Sequence, residues 1–518
     1  MRRACQVQRA SLTRAAVLAI LILLTSFPAL IHAQETPFPR PLVESVLLDS
    51  HRLILERHLE PASPADLTLW SLRGLAVLDP RLTADLRDAT VRLLLDERVA
   101  GTLPSTPLSA RGPPAAPAVA ATLATLYDLA WRLSPAIRRA GAERLLASGF
   151  EEVFNHLDPY SRYVTPQEAR AARTRRVGQS GLGLRIERRG NALVIAEITP
   201  DGPAAATGIR VGDALLAVDD RALSAGDPGL AATLLEGEEG TGVTLTIARA
   251  GRRRQVTLVR ELILPETVFA ETRDGILWLR VSGFTTMTDR RIAQELSDAF
   301  ISRAPRGVIL DLRGNRGGLL TQAVAVADAF LESGEVARTV GRVPEANRRY
   351  DAVGRDLALG RPVVVLIDGR TASAAEIVAM ALAERGRAAV VGSASTGKGL
   401  IQLVAPLPND GEIMITWSQI VAPSGWPIQS LGVLPTLCTS LGPEALARSL
   451  ASLAAGDPPM ARALTRQRAA RPPVLASEVA ALRGACPAAE GRSADLTAAR
   501  ALILNPAAYE TAVRPLGP

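Results

Sequence analysis

A serine at the start of a predicted helix is the first residue of this sequence that could do chemistry. In residues 368–382, DGRTASAAEIVAMAL, a strand ends at Asp368, a tight turn follows, and a helix begins near Ser373. Serine at such a position is usually only a helix cap. The same geometry also suits a nucleophile, because the unpaired N–H groups of a first helical turn point at any negative charge that develops there.

A lysine on a glycine-flanked loop, residues 393–402 (SASTGKGLIQ), is the second candidate. Lys398 is the only lysine among 59 lysine and arginine residues. Arginine cannot lose its proton in a protein, whereas a buried lysine can. A neutral Lys398 could take the proton of Ser373, and Gln402 could hydrogen-bond the amine and fix its direction. A phosphate-binding loop is disfavoured, because Gly399 follows the lysine where serine or threonine is required.

A glycine-rich turn supplies candidate donors for an oxyanion. In residues 311–320, DLRGNRGGLL, a predicted strand runs into the turn and then into a helix. Glycine lets the backbone approach a ligand closely, so the N–H of Gly318 is predicted to bind the oxyanion together with the N–H of Ala374. A tight turn without a chemical role is the alternative for the glycines alone.

Charge and residue types argue against nucleic-acid binding, a metal or cofactor site and a histidine base. The net charge of +7 contains four arginines that precede residue 34, where no acidic residue occurs. The one basic run, residues 252–254, has no interleaved aromatic residues, so nucleic-acid binding is not predicted. No metal or cofactor site is predicted. A histidine base is disfavoured, because the four histidines all precede the segment that holds the serine: His32, His51, His58 and His156.

Hydrophobic periodicity divides the chain of 518 residues into several regions. Helical spacing covers residues 42–100 and 119–154, and short β-runs with one helix near 228–236 follow. Strands apolar on both faces then alternate with helices near 289–302, 319–332 and 373–385, which predicts an α/β core with a helix-covered sheet. A further strand is predicted at 412–421. The predicted regions are a signal peptide (1–33), an N-terminal helical region (34–176) with a Pro-rich linker near 104–118, a β-rich domain (177–262), the α/β core (263–440) and a C-terminal helical region (441–518).

The first residues have the layout of a secretory signal peptide. Arginines precede the apolar run AAVLAILILL at 15–24, and Ala33 ends the segment before a candidate cleavage site. Export to the periplasm or cell envelope is therefore predicted, and membrane association would come only through this segment if it were left uncleaved. In such a compartment Cys438 and Cys486 could pair, but their spacing is equally compatible with two buried thiols.

The order and spacing of the three motifs resemble the carboxyl-terminal processing (tail-specific) serine proteases. The resemblance rests on DLRGNRGG at 311–318, the block at 372–376 and TGKGLIQ at 396–402, and it extends to HLDPYSRYVTP at 156–166 and GVLPT at 432–436. It implies that Ser373 is the nucleophile, Lys398 the base and Gln402 the residue that orients the lysine. The chain departs from the family pattern at Arg316, Ala375 and Thr436, which puts substrate preference in doubt rather than the reaction.

Residues 177–262 resemble a PDZ domain inserted before the protease core. TPDGPAAATGIRVGDALLAVDDRAL at 199–223 matches the turn, helix and strand of such domains. GLGL matches the carboxylate-binding loop, in which Gly181, Leu182, Gly183 and Leu184 receive a peptide C-terminus while the following strand pairs with the peptide.

The resemblance implies an endopeptidase that captures exposed C-termini of exported polypeptides and cleaves them through an acyl-enzyme. It also implies that the PDZ domain can gate the site. The alternative is an inactive PDZ scaffold that only binds peptides. The helical ends could dock an adaptor protein or a second copy of the chain, or could only cap the core.

Overall fold

The computed structural model describes residues 37–105, 108, 113–200 and 202–514. The predicted signal peptide and part of the predicted linker at 104–118 lie outside these residues. Of the helices within the described residues, none combines the length and the hydropathy needed to cross a bilayer.

The N-terminal region is a layer of helices that also contains a small antiparallel sheet. Its apolar residues form a core of their own, in which Val46, Leu72 and Phe150 are buried. The elements are α1 (Arg40–Arg57), α2 (Pro64–Arg73), β1 (Leu82–Arg87), β2 (Thr90–Leu95), β3 (Arg98–Pro104), α3 (Ala116–Leu133) and α4 (Pro135–Asn155).

The prediction of helix throughout residues 42–100, and so of a wholly helical N-terminal region, is wrong at these three strands. β1 turns into β2 at Asp88 and Ala89, and β2 turns into β3 at Asp96 and Glu97. All four turn residues have positive φ, as two-residue hairpin turns of type I′ require. Asn-Gly or Asp-Gly pairs usually mark such turns. Because neither turn contains glycine, no hairpin signal interrupts the leucine-rich spacing of these residues, and that spacing favours a helix.

The β-rich region is a sheet with one helix beside its edge. Its elements and those that lead into and out of it are β4 (Arg162–Val164), α5 (Pro166–Val177), β5 (Gln179–Gly181), β6 (Leu184–Arg189), β7 (Ala192–Ile198), β8 (Ala214–Val218), β9 (Arg221–Ala222), α6 (Pro228–Leu235), β10 (Gly242–Arg249), β11 (Arg252–Val259) and β12 (Glu261–Ile263). The strand order is β11-β10-β8-β7-β6, with β9 paired to β8, while β5 pairs with β12 where the chain enters and leaves. Strand β6 is therefore a free edge, and α6 packs beside it.

The α/β core is built on a mostly parallel sheet. Its elements are β13 (Val268–Arg273), β14 (Ile276–Val281), α7 (Thr288–Arg303), β15 (Gly307–Asp311), α8 (Leu320–Asp328), β18 (Val363–Ile367), α9 (Ala374–Glu384), β19 (Ala388–Gly392) and β22 (Leu437–Cys438), and the strand order is β13-β14-β15-β18-β19-β22. Every residue of β15, β18 and β19 is buried, as expected for strands covered on both faces. The three loops that carry the predicted site leave the carboxyl ends of these three strands.

A second, antiparallel sheet lies against the core and was largely missed in the sequence. It contains β16 (Gly334–Gly341), β17 (Arg348–Ala352), β20 (Leu400–Pro406) and β21 (Glu412–Val421), in the order β17-β16-β21-β20, with β4 paired to β21. Only β21 was predicted. Gln402 lies on β20, so this sheet positions part of the site.

The C-terminal region is helical, as predicted, and it makes hydrogen bonds to the loop that carries Lys398. Its helices are α10 (Pro443–Ala454), α11 (Ala461–Ala469), α12 (Ala476–Gly484), α13 (Ser493–Leu504) and α14 (Pro506–Val513). Cys486 forms a disulfide with Cys438 at the end of β22, which settles the two alternatives left open by their spacing. The carbonyl of Cys486 accepts from the N–H of Ala394 (3.3 Å), and Arg483 donates to the carbonyl of Ser395 (2.8 Å).

We expect the disulfide to stabilise the core measurably. It closes a segment with a sequence separation of 48 residues, for which the loss of unfolded-chain entropy is worth about 4 kcal/mol. Reductant should therefore lower the thermal unfolding midpoint of the oxidised protein. The double variant Cys438→Ala/Cys486→Ala should start from the lowered midpoint and show no response to reductant. An unchanged midpoint in the double variant would contradict this role.

Candidate active site

Ser373 lies at the turn between β18 and α9, where the backbone is strained. Its φ is +57° and its ψ is −121°, an unfavourable combination for a residue with a side chain. The turn is fixed by Thr371, whose hydroxyl donates to the carbonyl of Leu312 (2.9 Å) at the end of the neighbouring strand β15. The side chain of Ser373 is partly exposed beside the first turn of α9. This is the strand, turn and helix arrangement that the sequence predicts for a nucleophile.

The carboxylate of Glu376 joins the serine turn to the lysine loop. Its Oε2 accepts from the N–H groups of Ser373 (2.7 Å) and Lys398 (2.9 Å). Its Oε1 accepts from the N–H of Gly397 (2.7 Å) and from the hydroxyl of Ser395. Burial raises the pKa of the Glu376 carboxyl, and these four donors oppose the rise. No role is predicted for Glu376 from the sequence, although a glutamate three residues after a serine at a helix start is the pattern of a capping box.

Lys398 is half-buried and faces an aromatic ring. Its Nζ lies 5.1 Å from the centroid of the Tyr160 ring. Burial lowers the pKa of the amine, Arg162 lowers it further, and the Glu376 carboxylate opposes both effects. Among the hydrogen bonds of the described residues, none joins Nζ to Ser373 or to Gln402. The structure therefore brings the lysine loop to the serine turn through backbone contacts, including Thr396 N–H to the carbonyl of Thr371 (2.9 Å).

Gln402 lies close to the lysine loop in sequence but makes its hydrogen bonds within the second sheet. Its Nε2 donates to the carbonyl of Leu400 (3.2 Å) and to the hydroxyl of Thr416 (3.3 Å). The pairing of β20 with β21 shifts register between Ile401 and Gln402. The hydrogen bond that the sequence predicts between Gln402 and the lysine amine is not among those that the described residues make.

The glycine turn is organised by Asn315, a second residue whose role the sequence did not reveal. Its buried Nδ2 donates to the carbonyl of Val281 (2.9 Å), and its Oδ1 accepts from the N–H of Gly317 (2.8 Å). Its own carbonyl accepts from the N–H of Ala372 (2.9 Å). A Cβ at Gly317 would come within 2.9 Å of the Cβ of Ser373. Asn315 and the glycine thus hold the turn directly against the serine.

The two predicted oxyanion donors have no acceptor among the described residues. Gly318 pairs with Phe284 in an isolated bridge, but the hydrogen bonds of that bridge use the carbonyl of Gly317 and the N–H of Leu319. The N–H of Ala374 is at the first position of α9, where no intrahelical acceptor exists. Neither N–H group is therefore used in a hydrogen bond among the described residues.

The predicted carboxylate-binding loop of the β-rich domain leads into the free edge strand β6. Gly181 pairs with Glu261 in the short strands that join this domain to the core, and Leu184 begins β6. The carbonyls of Leu182 and Gly183 accept from the rest of the domain, whereas their N–H groups donate to no acceptor among the described residues. A peptide bound along β6 could accept hydrogen bonds from these N–H groups and could pair with the unpaired edge of the strand.

The three departures from the family pattern lie in different settings. Arg316 is exposed on the glycine turn, and Ala375 is buried in α9. The hydroxyl of Thr436 donates to the carbonyl of Val390 (2.9 Å) and accepts from its N–H (3.0 Å). Thr436 therefore supports the core sheet, and Arg316 alone of the three presents its side chain at the surface near Ser373.

The three described histidines are hydrogen-bonded within the N-terminal region or to the segment that follows it. His51 contacts the carbonyl of Leu47, His58 the carboxylate of Asp158, and His156 that of Glu152. Among the hydrogen bonds of the described residues, none joins a histidine to Ser373.

Comparison with known proteins assigns both domains. The model of peptidase family S41 matches residues 275–438, and that of the PDZ domain matches residues 180–259. A carboxy-terminal-processing protease of Bartonella bacilliformis is 35% identical over 302 residues, which cover 57% of this chain and 69% of that protein. A carboxyl-terminal-processing protease of a Picosynechococcus species is 33% identical over 289 residues, covering 54% of this chain and 69% of that protein.

Among solved structures, the photosystem II D1 C-terminal processing protease is 24% identical, with a TM-score of 0.35, and the match covers 75% of this chain and 97% of that one. The fold and the matching models define a serine-type protease with a PDZ domain. The chain belongs to peptidase family S41, among the carboxyl-terminal processing proteases. The resemblance stated from the sequence motifs is thereby confirmed.

We expect Glu376→Gln to reduce activity while leaving the protein folded. A glutamine offers one acceptor oxygen where the carboxylate accepts four hydrogen bonds, so at least one donor on the two loops loses its partner. A cost of about 2 kcal/mol in the positioning of the loops corresponds to a fall in kcat of more than tenfold. The measurement is kcat on an unfolded protein substrate, together with circular dichroism of the variant.

Glu384→Gln is the matched control. Glu384 lies at the other end of α9 with a side chain that is 7% exposed, and it accepts from Trp426 Nε1 (2.7 Å) and from Ser424 N–H (2.9 Å). Its substitution should lower stability with little loss of kcat. Equal losses of kcat in the two variants would show that Glu376 has no special role at the site.

Proposed function

We propose that this chain is an endopeptidase in which Ser373 attacks the peptide bond and Lys398 acts as the base. The observation that carries the proposal is the single carboxylate of Glu376, which accepts from the N–H groups of both residues. Their positions are thereby coupled, although the two residues lie on separate loops. The lowered pKa of Lys398 supports the role of base, because only a neutral amine can accept a proton.

The reaction would proceed through an acyl-enzyme. Nζ of Lys398 leaves the Tyr160 ring and accepts the Ser373 hydroxyl proton as Oγ bonds to the carbonyl carbon. The oxyanion accepts hydrogen bonds from the N–H groups of Gly318 and Ala374. The protonated amine then donates its proton to the departing peptide nitrogen as the peptide bond breaks. Water, deprotonated by Lys398, attacks the ester and releases the second product, and the proton returns to Oγ.

We further propose that the PDZ domain recognises the C-terminal tail of the substrate. The unpaired N–H groups of Leu182 and Gly183 would receive the terminal carboxylate, with Gly181 and Leu184 completing the loop, and the substrate would pair with strand β6. The partners are thus polypeptides with exposed C-termini. Docking of an adaptor or a second copy by the helical ends stays a prediction.

Export to the periplasm or cell envelope is part of the same proposal. It is supported by the signal-like residues 1–33 and by the disulfide between Cys438 and Cys486, since disulfides persist mainly in oxidising compartments. No cofactor takes part in the reaction as proposed.

The nucleophile and the base are tested by substitution. We expect Ser373→Ala and Lys398→Ala to abolish cleavage of an unfolded protein with an apolar C-terminus, and Gln402→Ala to reduce it greatly. Amidation of the substrate's C-terminus, which removes the carboxylate but not the cleavage site, should raise KM in the unaltered enzyme. Full activity in Lys398→Ala would refute the serine–lysine mechanism, and an inactive parent enzyme that still binds tails would favour the peptide-binding scaffold.

The lowered pKa of Lys398 predicts how stability depends on pH. Between the folded-state pKa and the ordinary lysine value of 10.5, the unfolded chain binds more protons than the folded one, so stability rises with pH. Lys398→Met removes this effect. The variant should therefore have the higher thermal midpoint at neutral pH, and its advantage should shrink as the pH approaches 10. A difference that does not change with pH would mean that the lysine pKa is not lowered.

A further inference from the structure

Thr416 lies opposite Gln402, and its N–H, its carbonyl and its hydroxyl all make hydrogen bonds. It is on β21, at the irregularity where Gln402 pairs with Thr416 and Ile401 with Ser418. Thr416 is 1% exposed. Its N–H donates to the hydroxyl of Ser161 (2.9 Å), and its carbonyl accepts from the N–H of Leu59 (2.8 Å). Its hydroxyl contacts both Gln402 and Asp158, so this one group connects the glutamine to a carboxylate outside the core.

The direction of the hydrogen bonds around this hydroxyl is determined by its chemistry. The hydroxyl of Thr416 has one hydrogen, which it donates to Oδ1 of Asp158 (2.7 Å). Toward Gln402 it can then only accept. The other neighbour of the glutamine amide, the carbonyl of Leu400, is also only an acceptor. Both neighbours therefore require the nitrogen of the amide, and Oε1 of Gln402 is left as the atom that can accept from an amine.

Asp158 is an acceptor at working pH. Burial raises the pKa of its carboxyl, but donors from His58, Ser161 and Thr416 outweigh burial and hold the pKa well below its usual range. His58 reaches Oδ2 (3.0 Å) from the end of α1 in the N-terminal region. Because an ionised carboxylate cannot donate, the hydroxyl of Thr416 has no alternative orientation on this side.

The same carboxylate also positions the other neighbour of the lysine. Oδ1 of Asp158 accepts from the N–H of Tyr160 (2.9 Å), and the Tyr160 ring lies 5.1 Å from Nζ of Lys398. The segment around Asp158 thus sets the aromatic ring that faces the amine and, through Thr416, the amide of Gln402.

We propose that Thr416 and Asp158 are positioning residues that fix the amide of Gln402 with its Oε1 presented to the amine of Lys398 when the amine turns toward Ser373. The inference rests on the proposed serine–lysine mechanism and adds two residues to it that do not touch the substrate. It also gives the N-terminal region a part in the reaction, because His58 holds the carboxylate from which the orientation follows.

The test is the split between kcat and KM in Thr416→Val and Thr416→Ser. Valine keeps the shape of threonine and removes the hydroxyl, so the amide loses one of its two acceptors and its fixed orientation. We expect kcat to fall about tenfold, the effect of one hydrogen bond at the reacting group, with KM unchanged. Serine keeps the hydroxyl and should restore most of kcat.

Ser418→Ala is the matched control. Ser418 is also buried on β21, two residues away, and among the described residues its hydroxyl has no hydrogen-bond partner. Its loss should leave kcat unchanged. Wild-type kcat in Thr416→Val, or an equal fall in the valine and serine variants, would overturn the inference. If Thr416→Val fails to fold, Asp158→Ala is measured instead, because it removes the oxygen to which the Thr416 hydroxyl donates and so leaves the direction of that hydroxyl, and of the Gln402 amide, undetermined. Wild-type kcat there would likewise overturn the inference.

The failure of the inference differs from the failure of the proposed mechanism. Activity in Lys398→Ala would remove the mechanism whatever the Thr416 variants do. An inactive Lys398→Ala combined with full kcat in Thr416→Val would leave the serine and lysine in place and reject only the positioning role of Thr416 and Asp158.

Discussion

The site depends on one carboxylate that is removed from water. Glu376 is fully buried, and the four hydrogen bonds that compensate for its lost hydration come from uncharged donors on two loops. A buried carboxylate is costly unless such bonds are complete. The serine turn and the lysine loop are therefore stable together rather than separately. The geometry of the pair is a property of the folded core, not of either loop alone.

The regions outside the core complete this arrangement from two sides. On one side, the C-terminal helices brace the lysine loop through Cys486 and Arg483. On the other, the N-terminal region reaches β21 through His58 and Asp158. Strand β21 is also where Arg173 and Arg176 of α5 meet the buried Glu412, just before the chain enters the PDZ domain. The N-terminal region, the helix that precedes the PDZ domain and Gln402, the glutamine of the proposed site, thus all contact the same strand.

The sequence predicted those features that short segments encode. Strand, turn and helix at Ser373, the glycine turn at Gly318 and the α/β alternation are all local patterns, and the structure has each of them. The hydrogen bond between Asp158 and Thr416 could not be predicted in this way, since 258 positions separate the two residues in the chain. The N-terminal hairpins were missed for a different reason: Asp88 and Glu97 adopt positive φ without the glycine that normally signals such turns.

Because the chain has one lysine, the NMR spectrum of the lysine-labelled protein would contain the signals of a single side chain. Since Lys398 is the only lysine in the chain, isotope-labelled lysine supplied during biosynthesis places a single labelled side chain in the protein, at the proposed base. Its signals need no assignment by elimination. Their chemical shifts depend both on the charge of the amine and on its distance from the Tyr160 ring. Amine-directed reagents likewise reach no other side chain, so the reactivity of one group can be followed in the intact enzyme.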